Sequence, residues 1–258
     1  MGMQKSLWIL LLLVSGSSMA RDSASAREDK AVVLRELLLQ LDISYLRCAT
    51  SCDVETMDEK VKNSWQKLKP LIPENKRLDG FFSHKPDPKN WRMARLALED
   101  ELSLTLMPAS MLGLDRGKAL FERHCSSCHG LTGSGDGVLA SRIPKFKVNL
   151  MDHFYFENLS PTMIYNMILS GVPGAPMYSF KDQLSDSDMW NISFFTVSLA
   201  LPLPIATAKA SKIDNGSSRF GIKEVARYNG SELRSFGLSE EEVFGFRSKD
   251  VFNLGRAK

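Results

Sequence analysis

Cys125-Ser126-Ser127-Cys128-His129 places two thiols three positions apart, with a histidine directly after the second. At this spacing each sulfur can add to one of the two vinyl groups on a single haem edge. The imidazole that follows then lies beneath the ring, where it can ligate the iron. Cys125, Cys128 and His129 are therefore the candidate residues for attaching one covalent haem c. A disulfide, or half a zinc site that happens to precede a histidine, is the competing reading. The residues on either side argue against it.

Upstream, Leu114 to His124 has the pattern of a helix beginning near Asp115, with Gly117 and Phe121 on one face. A glycine there admits a close helix crossing, and the aromatic fills the space beside it. The expected partner is the helix opened by the Ser185/Asp188 capping box, which presents Trp190, Phe194, Val197 and Leu201 at helical spacing. Between these helices, Gly130 to Gly137 forms a flexible turn. Ser160 then caps a helix with Pro161 at its first position, running to about Ser170.

After that helix comes Gly171-Val172-Pro173-Gly174-Ala175-Pro176-Met177, a loop able to carry a methionine to the open face of the iron. A thioether is soft and favours Fe(II), so His129/Met177 ligation raises the reduction potential and suits an electron carrier. Met163, Met167 and Met189 fall inside predicted helices and read as core. His153 is a rival sixth ligand, and an open or water-ligated position is the other alternative. The Pro144 carbonyl is a candidate acceptor for the second ring N–H of His129; an ordinary turn proline is the alternative. His84 and His124 carry no pattern and read as surface residues.

Taken together, residues 113–201 resemble the class I cytochromes c. The likeness rests on the Gly117/Phe121 helix, Cys125-Ser-Ser-Cys-His129-Gly130, Gly133 to Gly137, the Pro176-Met177 loop and the Trp190 helix. It implies covalent haem c, His129 and Met177 as axial ligands, and shuttling between membrane-bound or soluble redox partners such as an oxidase. A second, narrower resemblance spans nearly all of the chain after its first 20 residues. The Leu-rich helix with Asp42 and Tyr45, and Ser239-Glu240-Glu241-Glu242-Val243 in the tail, look like the cytochrome extension found before some bacterial iron permeases. That implies redox chemistry coupled to iron uptake. No permease helices follow, so this chain could only be a detached partner. A haem peroxidase or sensor is a third possibility. Bacterial peroxidases of this kind are expected to carry two haems, and one attachment site is present, so no enzymatic activity is expected.

The remaining sequence sets the context. Lys5, the apolar run Leu7 to Val14 and Ser18-Met19-Ala20 have the layout of a signal peptide cleaved near Ala20. Export to the periplasm is expected, with no transmembrane segment in the mature chain. The 33 basic residues against 30 acidic ones leave too small an excess for a nucleic-acid partner. Cys48 and Cys52 are four apart, and Asp53 stands where an axial histidine would be needed, so a disulfide is expected there rather than a second haem. Helices are predicted at 28–47, about Met57 to Leu68 (ended by Pro70 and Pro73) and Trp91 to Leu106, with a loop from Asn75 to Asn90. The expected organisation is a signal peptide (1–20), a helical region of unknown role (21–112), a cytochrome c domain (113–202), and a linker with a short helical tail (203–258), in which Ser239 to Glu242 matches a capping box before a short helix carrying Val243 and Phe246. The fold class is mostly α.

Overall fold

A computed structural model describes residues 30–48, 53–85, 87–102, 113–142, 149–200, 222–240 and 242–243. Among these the chain is helical, and its one extended pairing is an isolated bridge between Val172 and Met177. The chain divides into two compact units, Met1–Ala94 and Arg95–Lys258.

The first unit opens with helix α1 (30–48), whose Leu34, Leu37, Leu38 and Leu41 are buried as their three- and four-residue spacing predicts. Cys48, at its end, is disulfide-bonded; Cys52 lies outside the described residues. Helix α2 (Val54–Leu68) buries Val61, Trp65 and Leu68. Asp53 is its N-cap, accepting the Thr56 N–H at 3.2 Å and the Thr56 hydroxyl at 2.5 Å. The Thr56 hydroxyl is the main cause holding the Asp53 carboxyl below its usual range.

The predicted loop from Asn75 to Asn90 contains instead a short helix, α3 (Lys76–Ser83). Gly80 and the prolines obscure its signals, namely the Asn75 side chain capping Leu78 N at 3.1 Å and the burial of Leu78 and Phe82 four residues apart. Phe82 stacks on Trp65 at 4.3 Å between ring centroids, so α3 is fixed by tertiary packing rather than by propensity. Helix α4 (Pro88–Glu101), whose residues from Arg95 onward belong to the second unit, starts three residues before the predicted Trp91, because a proline is tolerated at a first helical position. Residues 103–106 of the prediction lie outside the described ones.

The second unit is built around two crossing helices, α5 (Leu114–His124) and α9 (Asp186–Leu199). Between them in sequence lie α6 (Ser126–His129), α7 (His153–Asn158) and α8 (Pro161–Ser170). Ser160 caps α8 and Ser185 caps α9, as predicted; the Ser185 hydroxyl accepts Asp188 N at 3.1 Å.

Helix α9 is buried nearly all round, from Met189 to Phe194 and again at Thr196 and Val197. A helix this apolar must be covered on several sides. Its buried hydroxyls are satisfied within the helix, Ser193 donating to Met189 O at 2.7 Å and Thr196 to Ile192 O at 2.8 Å.

The close crossing does occur at Gly117. A Cβ there would overlap the Asn191 carbonyl and lie 2.9 Å from Phe195 Cβ. The stripe that meets α5 is therefore Asn191/Phe195, not the predicted Trp190/Phe194. Trp190 turns to α8, where its ring stacks on Tyr165 at 4.3 Å. Adjacent residues on a helix point about 100° apart, so the two stripes pack against different neighbours. Leu201 lies outside the described residues.

Two tail helices, α10 (Ile222–Arg227) and α11 (Gly230–Ser235), complete this unit. The predicted Ser239/Glu242 capping box is present: Ser239 N donates to Glu242 Oε2 at 2.8 Å, and Glu242 N to Ser239 Oγ at 3.3 Å. It seats Val243, fully buried, in an apolar cluster with Leu233 and Ala200. The expected linker falls within residues 201–221, and Phe246 beyond Val243; both lie outside the described residues.

Candidate haem site

Helix α5 delivers the two cysteines. Cys125 ends it, its N–H donating to Phe121 O at 2.8 Å, and the chain then makes one further helical turn. Cys128 N and His129 N both reach Cys125 O, at 3.2 and 2.9 Å, and Gly130 N reaches Ser126 O at 2.8 Å. The Ser126 hydroxyl donates to Glu122 O at 2.5 Å, tying this turn to the one before it. These local hydrogen bonds hold both cysteines and His129 on a single helical turn.

The turn stops at Gly130, whose φ of 80° is the left-handed region that favours glycine. A side chain here would also strike the Asp136 carboxylate, which accepts the Ser134 hydroxyl at 2.6 Å. The following loop folds back along the motif: Gly135 N donates to His129 O at 2.7 Å and Leu139 N to Ser127 O at 2.8 Å. Beside His129 stands Phe121, at 6.4 Å between ring centroids, with Phe195 behind it at 5.4 Å. The predicted role of Phe121 at the crossing therefore extends to walling the histidine.

Cys125 and Cys128 are both free and half-buried, so the competing disulfide is not formed. Burial pushes the Cys125 thiol up to about 12, and neighbouring Cys128 adds a smaller push in the same direction. Among the described residues, no group of three or more His, Cys, Asp or Glu side chains gathers as a metal site.

Met177 is carried by a tied loop hung from the end of α8. Val172 N donates to Met177 O at 2.8 Å, Ala175 N to Val172 O at 3.0 Å, and Phe180 N to Ile168 O at 2.9 Å. The Ser179 hydroxyl adds a bond to Leu169 O at 2.6 Å. This loop meets the end of α5: Phe180, three residues after Met177, packs edge-on against His124, directly before Cys125, at 6.3 Å. His124 thus has a packing partner that its sequence context does not signal. His84 is exposed and bonds the Gly80 carbonyl. His153 opens α7, but its side chain, like Pro144 within residues 143–148, lies outside the described residues.

Two supporting elements escape sequence reasoning. Asn191 Oδ1 accepts Gly113 N at 2.7 Å, capping α5 where residue 113 offers no side chain, while its Nδ2 donates to Ser187 O at 2.8 Å. Arg116 grips Asp188 through two bonds of 3.0 and 3.2 Å, and that hydrogen bonding holds the Asp188 carboxyl below its usual range. An amide inside the apolar run of α9 was the available signal for Asn191. Nothing local marks the Arg116 pair, whose members are 72 residues apart.

The donor set fits a haem. Two thiols on one turn suit the two vinyl groups, and an imidazole and a thioether would suit the iron as ligands. Exposed apolar side chains flank the turn, including Leu131, Val138 and Tyr178 at 67%, 79% and 64% exposure.

Residues 113–195 match the family described as cytochrome C oxidase, cbb3-type, subunit III. This is a cytochrome c-type domain, and such a domain implies covalently bound haem c and haem-based electron transfer with redox partners. No curated protein matches the chain. Among solved structures it is similar to a chain of the Kuenenia stuttgartiensis reducing HAO-like protein complex Kustc0457/Kustc0458, at 24% identity and a TM-score of 0.35. That likeness covers 46% of this chain and 62% of the other, so it spans less than two thirds of that chain's length.

Proposed function

We propose that this chain is an exported mono-haem c-type cytochrome that passes single electrons between redox partners, with residues 113–202 as its cytochrome c domain. The observation that carries this reading is the juxtaposition at the end of α5. There the rigid Cys125–His129 turn and the tied Met177 loop come together through His124 and Phe180. A bound haem would supply an Fe(III)/Fe(II) couple whose reduced state a thioether favours. The chain's own residues would do the rest: Cys125 and Cys128 would hold the porphyrin through thioether bonds, His129 and Met177 would ligate the iron, and Phe121, backed by Phe195, would wall the histidine.

The leader segment around Leu7 to Val14 supports a periplasmic location, and among the described residues no helix is long and apolar enough to cross a membrane. The partners of such a carrier are redox proteins, with a membrane oxidase or an iron permease as the classes to which its resemblances lead. Recovery of a membrane iron transporter on co-purification would favour the second.

A carrier with both axial positions filled should exclude small ligands. The oxidised holoprotein is expected to exchange electrons reversibly with small-molecule mediators and to bind cyanide far more weakly than an open-site haem protein does. Cyanide binding as ready as that of an open-site protein would overturn the carrier reading in favour of catalysis or sensing.

A further inference from the structure

The tail helices do not hang free, and what they hold is the support of the Met177 loop. Helix α10 packs on α8 and α11 packs on α7. Val225 and Ala226 on α10 are buried, as is Leu233 on α11. Three polar anchors fix this segment. Arg227 donates to Glu99 at 2.5 Å and to Leu96 O at 3.1 Å, and pairs with Asp100 at 2.9 Å. Glu99 is itself buried and ion-paired with buried Arg95, so this anchor is a closed charge network rather than a surface bridge.

Asn229, 1% exposed, forms both halves of the capping box with Glu232 and also reaches the Asn158 carbonyl at the end of α7, at 3.4 Å. Arg234 pairs with Glu157, also on α7. The tail therefore spans from the last turns of α4 across α8 to α7.

Helix α8 is consequently held on two sides, by α9 through the Tyr165–Trp190 stack and by α10. The Met177 loop is bonded to its last turn through Ile168 and Leu169. A shift of α8 would have to break or carry those two bonds, so the position of the loop is coupled to that of the helix.

We infer that residues 222–240, with Val243, act as a positioning strap, keeping Met177 on the iron by clamping α7 and α8; this rests on the reading of Met177 as the sixth ligand. Arg227, Asn229 and Leu233 are positioning residues in this account, since none touches the haem turn. A simple shuttle has no need of such a tail, and the strap gives it a role in setting how firmly the sixth position stays closed.

The test uses the mature holoprotein, with cyanide as the probe of the sixth position. Arg227→Met should leave covalent haem and helical content intact, weaken the Fe–S charge-transfer band of the ferric protein, and tighten cyanide binding. The tightening should be about tenfold, corresponding to about 1.4 kcal/mol of lost closure. Met177→Ala should tighten cyanide binding by itself, and Arg227→Met added to it should do nothing more, because the two act on one equilibrium.

If Arg227→Met does not accumulate, Asn229→Ser decides. It keeps an N-capping oxygen and removes only the reach to Asn158, and any tightening of cyanide binding supports the strap. A folded strap variant with wild-type band and cyanide affinity, beside a responsive Met177→Ala, overturns the strap alone. An unresponsive Met177→Ala overturns the ligand assignment beneath it.

Discussion

Met177→Ala is expected to lower the midpoint potential by a few hundred millivolts at most and to open the sixth position, while leaving the haem attached. Axial ligands set haem potentials over a range on the order of 0.8 V, and loss of a thioether removes the ligand that favours Fe(II). The magnitude depends on what replaces the sulfur, since water or a nearby nitrogen favours Fe(III) to different degrees. The expected direction is the same for either. Met177 is half-buried and its loop is tied by backbone bonds, Val172 N to Met177 O among them, so the substitution leaves the loop standing. Equilibrium redox titration with optical detection is the measurement. An unchanged potential and spectrum would show that another group holds the sixth position.

The second large effect concerns the crossing that positions the haem turn. Gly117→Leu is expected to destabilise the cytochrome unit by about 3 kcal/mol or more, at the upper end of what overpacking costs. The neighbours that must give way are the Asn191 carbonyl and Phe195 Cβ, both close to the backbone of α9 and neither the far end of a flexible side chain. Separation of the helices would also disturb Phe195 behind Phe121 and the Asn191 cap on Gly113, so the damage reaches the histidine wall. Lys118→Leu, one position away on an exposed part of the same helix, is the control and should change little. Denaturant unfolding followed through the haem absorption separates the two variants. Equal midpoints would mean that the two helices do not meet at residue 117.

What could be read in the sequence was chiefly what is local. The Cys125–His129 motif, the caps at Ser160, Ser185 and Ser239, and the leucine stripe of α1 each declare themselves within one or two helical turns. The structure agrees with the caps and the leucine stripe because capping and periodicity are short-range physics. Gly117 was legible for a related reason, since a glycine in a helix that gains nothing from it implies a close neighbour.

The identity of that neighbour was not legible. Trp190 and Asn191 are adjacent in sequence, and only the packed fold shows that the indole faces Tyr165 while the amide faces Gly113 and the crossing. Helix α3 was hidden because Gly80 and the flanking prolines argue locally for a loop, and the stacking of Phe82 on Trp65 outweighs them. The tail shows the same limit from the other side. Its capping residues were visible, but the grip of Arg227 on Glu99 joins residues 128 apart in sequence and leaves no local trace.

Function follows the same division. On the proposed reading, the attachment of the cofactor lies within five consecutive residues, whereas a sixth ligand from Met177 depends on bringing residues 171–180 to the end of α5. The contact of Phe180 with His124 is the physical reason for placing Met177 there. The leader, the partners and the single-haem count rest on sequence features and resemblance, and each invites its own biochemical test.

The central claim is a covalent one, and intact mass of the matured protein after acid denaturation addresses it most directly. If thioether bonds join Cys125 and Cys128 to one porphyrin, the polypeptide will weigh more than the leader-free chain by the mass of one haem. A polypeptide of bare-chain mass, with the pigment released into solution, would contradict the account.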